Sequence, residues 1–165
     1  MKKLIILLTG SWFLIPGSLC AAQLTGFYKT IDDKTNTPKS IIALYECDGL
    51  LNGKIVALYD AETGQVSETI NAPVKVAEKV KGAPKMSGLR IIWDMKWDAK
   101  KTEYTGGKIM DPQSGSVYSS RLWQDKDNAN HLRVRGSIGP IGRTQVWHVI
   151  PELPKDLKIT TPECV

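Results

Sequence analysis

Six side chains in the C-terminal half carry most of the chemistry this sequence offers: Tyr118, Arg121, Arg135, Arg143, Gln145 and Trp147. Arg143, Gln145 and Trp147 are spaced by two, so on a strand they project to one side. A guanidinium beside an aromatic ring can pair with a carboxylate and stack at once. That chemistry suits a fatty-acid-like or other small acidic molecule, and the six are read as candidate ligand-binding residues. Arg135 lies two residues from Arg133 and belongs either to the interior or to a solvated face. Trp93 and Trp97 read as core or rim rather than as a ligand platform.

Catalytic and metal chemistry have little support. His131 and His148 are the two histidines, and no His-x-x-x-His or Cys-x-x-Cys spacing occurs, so no metal is expected. His148 reads as a partly buried strand residue. Ser119, Ser120 and Ser137 lack a nucleophile-elbow setting. Gly106-Gly107 sits in a strand-like stretch and does not open a helix, so it is no phosphate loop. No cofactor is expected, and the chain is read as non-enzymatic.

The elements that would hold these residues are strands. Segments 24–30, 40–47, 50–59, 88–97, 103–110, 116–124, 131–138 and 143–150 alternate apolar with polar residues. In the fourth, Leu89, Ile91, Trp93, Met95 and Trp97 are expected to share the buried face. Turn chemistry separates the segments, as at Asp48-Gly49, Asp111-Pro112-Gln113-Ser114-Gly115 and Gly139-Pro140. Segment 60–87 differs: it is long and rich in Pro and Gly, with one or two helical turns expected around Val76, Ala77 and Val80. Connections this long are usually lids, binding loops or packed plugs. Repeated hairpins without crossover helices predict an all-β, eight-stranded antiparallel up-and-down barrel with one long irregular or partly helical connection. A barrel that size holds side chains or one small ligand.

The N-terminus sets a compartment. Lys2-Lys3, the apolar run from Leu4 to Leu19 and Cys20-Ala21-Ala22 have the layout of a secretory signal peptide, with cleavage expected after Ala22. The alternatives are an uncleaved anchor or a lipid anchor on Cys20, the latter disfavoured by bulky Leu19. The expected organisation is 1–22 leader, 23–150 barrel and 151–165 proline-containing tail, with the mature chain periplasmic or secreted and lacking a transmembrane segment. Loss of Lys2 and Lys3 leaves 20 basic against 17 acidic residues, a net charge of about +3. The basic residues are scattered without an aromatic-interleaved stripe, which argues against nucleic acid. They read as solvated charge or as a weak attraction to an anionic envelope surface. Cys47 and Cys164 then remain, and an even pair in an exported chain suggests a disulfide, the alternative being two free thiols.

Several stretches carry a family resemblance. They are Asp48-Gly49, Asn52 to Val56, Gly88-Leu89, Gly106 to Pro112 with Gly115 and Tyr118, and Val134 to Gly139 with Gly142 to Trp147. In this order they resemble the bacterial exported proteins grouped as domain-of-unknown-function family 2147, over roughly Gly26 to Ile150. The resemblance implies a lipocalin-like barrel, with Gly26-Phe27-Tyr28 where such barrels open on Gly-x-Trp. It also implies that an arginine such as Arg143 could pack across the opening-strand aromatic instead of meeting a ligand. Where relatives carry further cysteines, this chain has Asn52, Ala77 and Val80, which leaves Cys164 as the mate for Cys47. The family brings no settled activity. Two functions follow: an envelope protein that binds a small hydrophobic or acidic molecule, or a structural module with a filled barrel and an envelope protein partner.

Overall fold

β-branched and aromatic residues recur at alternate positions through most of the chain, and these stretches become strands because such side chains pack well on a half-buried pleated surface. The computed structural model describes residues 24–159, 162 and 164. The expected leader, 1–22, lies outside them. Among the described residues there is no helix, and hence none long and apolar enough to cross a membrane.

The strands are β1 (Gly26–Ile31), β2 (Pro38–Cys47), β3 (Leu50–Tyr59), β4 (Val66–Thr69), β5 (Arg90–Asp98), β6 (Glu103–Thr105), β7 (Lys108–Met110), β8 (Val117–Gln124), β9 (His131–Ile138) and β10 (Ile141–Ile150). Each pairs antiparallel with its neighbours. β10 returns to β1 through Phe27↔Ile150 and Lys29↔His148. The lower half of β3 meets β5 through Leu51↔Met95. With β6 and β7 as one interrupted wall strand between β5 and β8, eight strands close into a barrel. Closure leaves no long free edge in the wall.

Three details depart from the sequence expectation. The 103–110 strand is broken: Gly106 has φ 79°, and Gly107 lies so close to β5 that a Cβ there would overlap the Trp93 carbonyl. The Gly-Gly pair is therefore a backbone fitting. On β5, three residues of β3 (Leu51 to Gly53) stand against four (Met95 back to Ile92), and Asp94 has φ 60°. This bulge resets the alternation. Ile91, Ile92, Met95 and Trp97 pack in or against the core, and Trp93 does not.

The 60–87 connection contains no helix. β4 pairs with upper β3, and Val76 bridges Lys85 across a turn through Gly82 and Ala83. Glu68 organises this segment. Its carboxylate accepts hydrogen bonds from the Val74 and Lys75 amides and from Ser87 Oγ. Those amides are thus held by a side chain, outside any helical ladder, and the stretch between Pro73 and Pro84 folds back on itself through the Val76↔Lys85 bridge.

The principal core lies inside the barrel, with Leu44, Leu51, Ile92, Met95, Tyr104, Leu122, Leu132 and Trp147 all buried. A second cluster forms outside β1–β3. There Ile41, Ala43, Val56 and Ala57 are covered by Leu153, Leu157 and Ile159 of the tail. Cys164 is disulfide-bonded to Cys47, with Cα atoms 5.5 Å apart. The tail is thus a packed strap.

Candidate functional site

The two ends of the barrel differ. The lower end carries the Asp48-Gly49 hairpin and the 99–102 and 125–130 turns. The upper end carries the 32–37 loop, the long connection, and the 111–116 and 139–140 turns. On β1, β2 and β10 the inner-face residues change from apolar below to hydroxyl, amide and charged above. Thr30 and Ser40 are the clearest case. They are register partners, both buried, with their hydroxyl oxygens 2.7 Å apart.

A cleft of about 230 Å³ opens at this upper end. Ile55, Leu58, Tyr59, Met86, Pro38 and Pro112 supply its apolar lining, and Ser40, Thr35, Thr37 and Gln113 its neutral polar groups. Lys39 and Lys75 bring cations, and Asp32 one carboxylate. That carboxylate is occupied: Asp32 Oδ1 accepts the Lys34 and Thr35 amides, which hold its pKa below the usual range. Lys75 is placed by its own backbone, since its amide donates to Glu68. Burial acts to raise the Glu68 pKa, but the hydrogen bonds from Ser87, Lys75 and Val74 outweigh it and hold the carboxyl below its ordinary value. A furrow of about 280 Å³ also lies between Thr25–Phe27 and Ala43–Glu46. It brings no cation and lies at the lower end, so the upper cleft is the better candidate.

The six sequence candidates divide by strand phase. Trp147 is in the core cluster, and Gln145 and Arg143 follow it up β10 in the same phase. Tyr118 shares the phase of Leu122 and lies beside Gly136 on the neighbouring strand. These four belong to the inner face. Arg121 and Arg135 are register partners in the opposite phase, on the outer face. Arg121 lies 3.7 Å from Glu103 and over the Trp123 ring, and Arg135 donates to Thr144 Oγ1.

Three of these inner residues, all on β10, lead to a loop residue. Trp147 Nε1 donates to Gln145 Oε1, Gln145 Nε2 donates to Asp33 Oδ2, and Arg143 forms an ion pair with the same carboxylate. Arg143 is six residues above Val149, the register partner of Tyr28. At about 3.4 Å per residue that separates them by roughly 20 Å. Arg143 therefore does not close the barrel over the opening-strand aromatic. Tyr28 is held by its own bond to the Leu24 carbonyl, and burial, then the nearby Tyr104, pushes its pKa up to about 12.

None of the six lines the cleft; its lysines, Ser40 and Met86 were not among the sequence candidates. The phase of β2 could have found Ser40, a hydroxyl in register with Ile42 and Leu44. Ser120 is a further inner-face group, buried with its Oγ unpartnered. Among the described residues no group of three or more His, Cys, Asp or Glu is placed to hold a metal. His131 and His148 pair across β9 and β10 with ring centroids 4.7 Å apart. Burial, then His131 and Lys29, hold the His148 pKa below its usual value.

Comparison with known proteins agrees with the barrel fold. A family model described as "Uncharacterized protein conserved in bacteria" matches residues 26–149. The fold is similar to that of protein HP1028 from the human pathogen Helicobacter pylori, which is described as belonging to the lipocalin family. The TM-score is 0.65 at 20% identity, over 86% of this chain and 93% of that one. None of the curated proteins compared with the chain matches it.

Proposed function

The chain belongs to the DUF2147 family, and from that premise we propose that it is an exported envelope protein that binds a small molecule with an apolar body and an acidic group at the upper mouth of its barrel. The observation that carries this is the pairing of Lys39 and Lys75 with an apolar lining in one cleft. Binding sites commonly combine an apolar wall with a few placed polar anchors. The volume sets the scale: about 230 Å³ is below the roughly 300–1,000 Å³ of drug-sized sites. A short carboxylic acid suits it better than a long lipid. The inner-face polar chain from Trp147 to Arg143 holds the 32–37 loop through Asp33, so these residues shape the mouth and Arg143 is not free to receive the acid.

Octanoate binding followed by calorimetry tests this reading. Saturable binding is expected, weakened roughly tenfold by K75Q, in line with the loss of a charge-assisted contact. Absence of binding by octanoate and by shorter and longer homologues, together with no copurified small molecule in native mass spectrometry, would overturn it. Export is tested separately, by fractionating cells and measuring the mass of the mature chain. A start at residue 23 is expected.

A second reading has its own support. Tyr104, Leu122, Leu132, Met95 and Ile92 fill the lower interior, and the tail sheathes one outer face. A structural module with an envelope protein partner would need no more. Cross-linking in cells that traps one partner, lost on deletion of residues 60–87, would favour it over ligand binding.

A further inference from the structure

The β9–β10 hairpin ends above the barrel wall. Ile138 and Ile141 are register partners flanking Gly139-Pro140, and they are 66% and 79% exposed. Val117, at the upper start of β8, is also exposed. It stands at the height of this tip, because β8 and β9 pair through Ser119↔Ser137 two residues below, and it is in the outer phase of Ser119 and Arg121, while Ile138 and Ile141 continue the inner phases of Val134 and Arg143. Large apolar side chains grouped at one projecting point mark a surface that meets something else.

On the three strands beneath the tip the charged residues are all cationic, their counter-charges Glu103, Asp125 and Asp33 (the partner of Arg143) standing on neighbouring segments. β8, β9 and β10 together contain four arginines and no Asp or Glu. Arg121 and Arg135 face each other across β8 and β9 on the outside, an arrangement that is unfavourable for like charges without a counter-charge. Lys108 lies on the neighbouring strand, opposite Ser119. Arg133 is neutralised by Asp125, and Arg121 has Glu103 3.7 Å away. Arg135 has a hydroxyl as its side-chain hydrogen-bond partner. An apolar tip above a cationic band fits the boundary between acyl chains and anionic headgroups.

We propose that the β9–β10 tip docks on an anionic lipid bilayer, with Ile138, Ile141 and Val117 entering the interface and Arg121, Arg135 and Lys108 meeting the headgroups. The tip and the upper cleft are at the same end of the barrel, so docking would turn the mouth toward the membrane. This inference does not depend on the ligand reading, because neither its residues nor its test involve the cleft.

The test is vesicle flotation of the exported, processed protein, with its start verified by mass. Vesicles of phosphatidylcholine alone are compared with vesicles containing phosphatidylglycerol, at low and high salt. Binding is expected on the phosphatidylglycerol vesicles only, and it should weaken as salt screens the surface. I138N and I141N should each reduce affinity roughly tenfold, the scale for losing one buried aliphatic side chain. R121Q and R135Q should each reduce it roughly fivefold. All four sites lie at the surface, and unchanged thermal unfolding establishes that each variant is folded. No flotation with anionic vesicles, or equal flotation with neutral ones, overturns the proposal. Binding that is unaffected by I138N and I141N, and equalled by soluble polyglutamate, also overturns it and assigns the face to an acidic protein.

Discussion

The lower and upper halves of the barrel are built from the same eight wall strands, yet they are built for different ends. Below, the inner positions are Leu51, Met95, Tyr104, Leu122 and Leu132, packed to near-zero exposure. The disulfide to the tail strap is anchored at this end, at Cys47. Above, the same inner phase carries Thr30, Ser40, Gln145 and Arg143, and a cleft opens between Ser40, upper β3, the 32–37 loop and the long connection. Close packing gives the lower half its stability, because each buried aliphatic side chain contributes through both burial and contact. The upper half sacrifices that contribution for a cleft with cations at its edge. On the proposed reading, stability and recognition are separated along the barrel axis.

Substitutions should expose that separation. The largest expected effect is at the lower end. Joint replacement of Cys47 and Cys164 by serine opens a link spanning 117 residues. Chain entropy alone predicts a loss of about 4–5 kcal/mol in denaturant unfolding. Leu122→Ala should follow, costing about 2–5 kcal/mol. At the mouth, Ser40→Ala removes one hydroxyl from a pair and should cost only about 1 kcal/mol. K75Q should leave unfolding unchanged while reducing octanoate affinity. If K75Q destabilised the fold as much as Leu122→Ala, the division between the halves would fail.

Acid provides a finer contrast. The Glu68 carboxyl has a lowered pKa in the folded protein, so the unfolded chain binds its proton first. Its contribution is fully present above the ordinary value of 4.5 and is lost as pH falls through the folded value. Stability should therefore decline below about pH 4.5, and E68Q should flatten that part of the curve while lowering stability near neutrality. The first structure lost on acidification should be the 66–87 connection, as read by amide exchange, with the lower core still protected. Simultaneous loss of both would contradict the comparison.

Much of the wall was legible because period-two patterning is local. Leu132 and Val134 against Arg133 and Arg135 already separate the inner from the outer face of β9, and the same alternation puts Leu122 opposite Arg121. Grouping all six candidates at one site overrode that phase for Arg121 and Arg135. Other features depend on partners far away in sequence. The Asp94 bulge follows from how β5 meets β3 and Gly107, which no window along β5 contains. Asp33 meets Arg143 and Gln145 across the barrel mouth. The 60–87 segment looked weakly helical because Val76, Ala77 and Val80 fit a helical face, but Glu68 holds the backbone amides of Val74 and Lys75. The cleft was the least legible feature, since it is assembled from the 32–40, 55–61, 75–86 and 112–113 stretches at once.

The central claim is that recognition occurs at the upper mouth. Amide chemical-shift mapping during an octanoate titration tests it most directly. The expected shifts cluster on Lys39, Ser40, Tyr59, Lys75 and Met86, with Tyr104, Leu122 and Leu132 unmoved. Shifts centred on the lower residues, or none at saturating octanoate, would contradict the account.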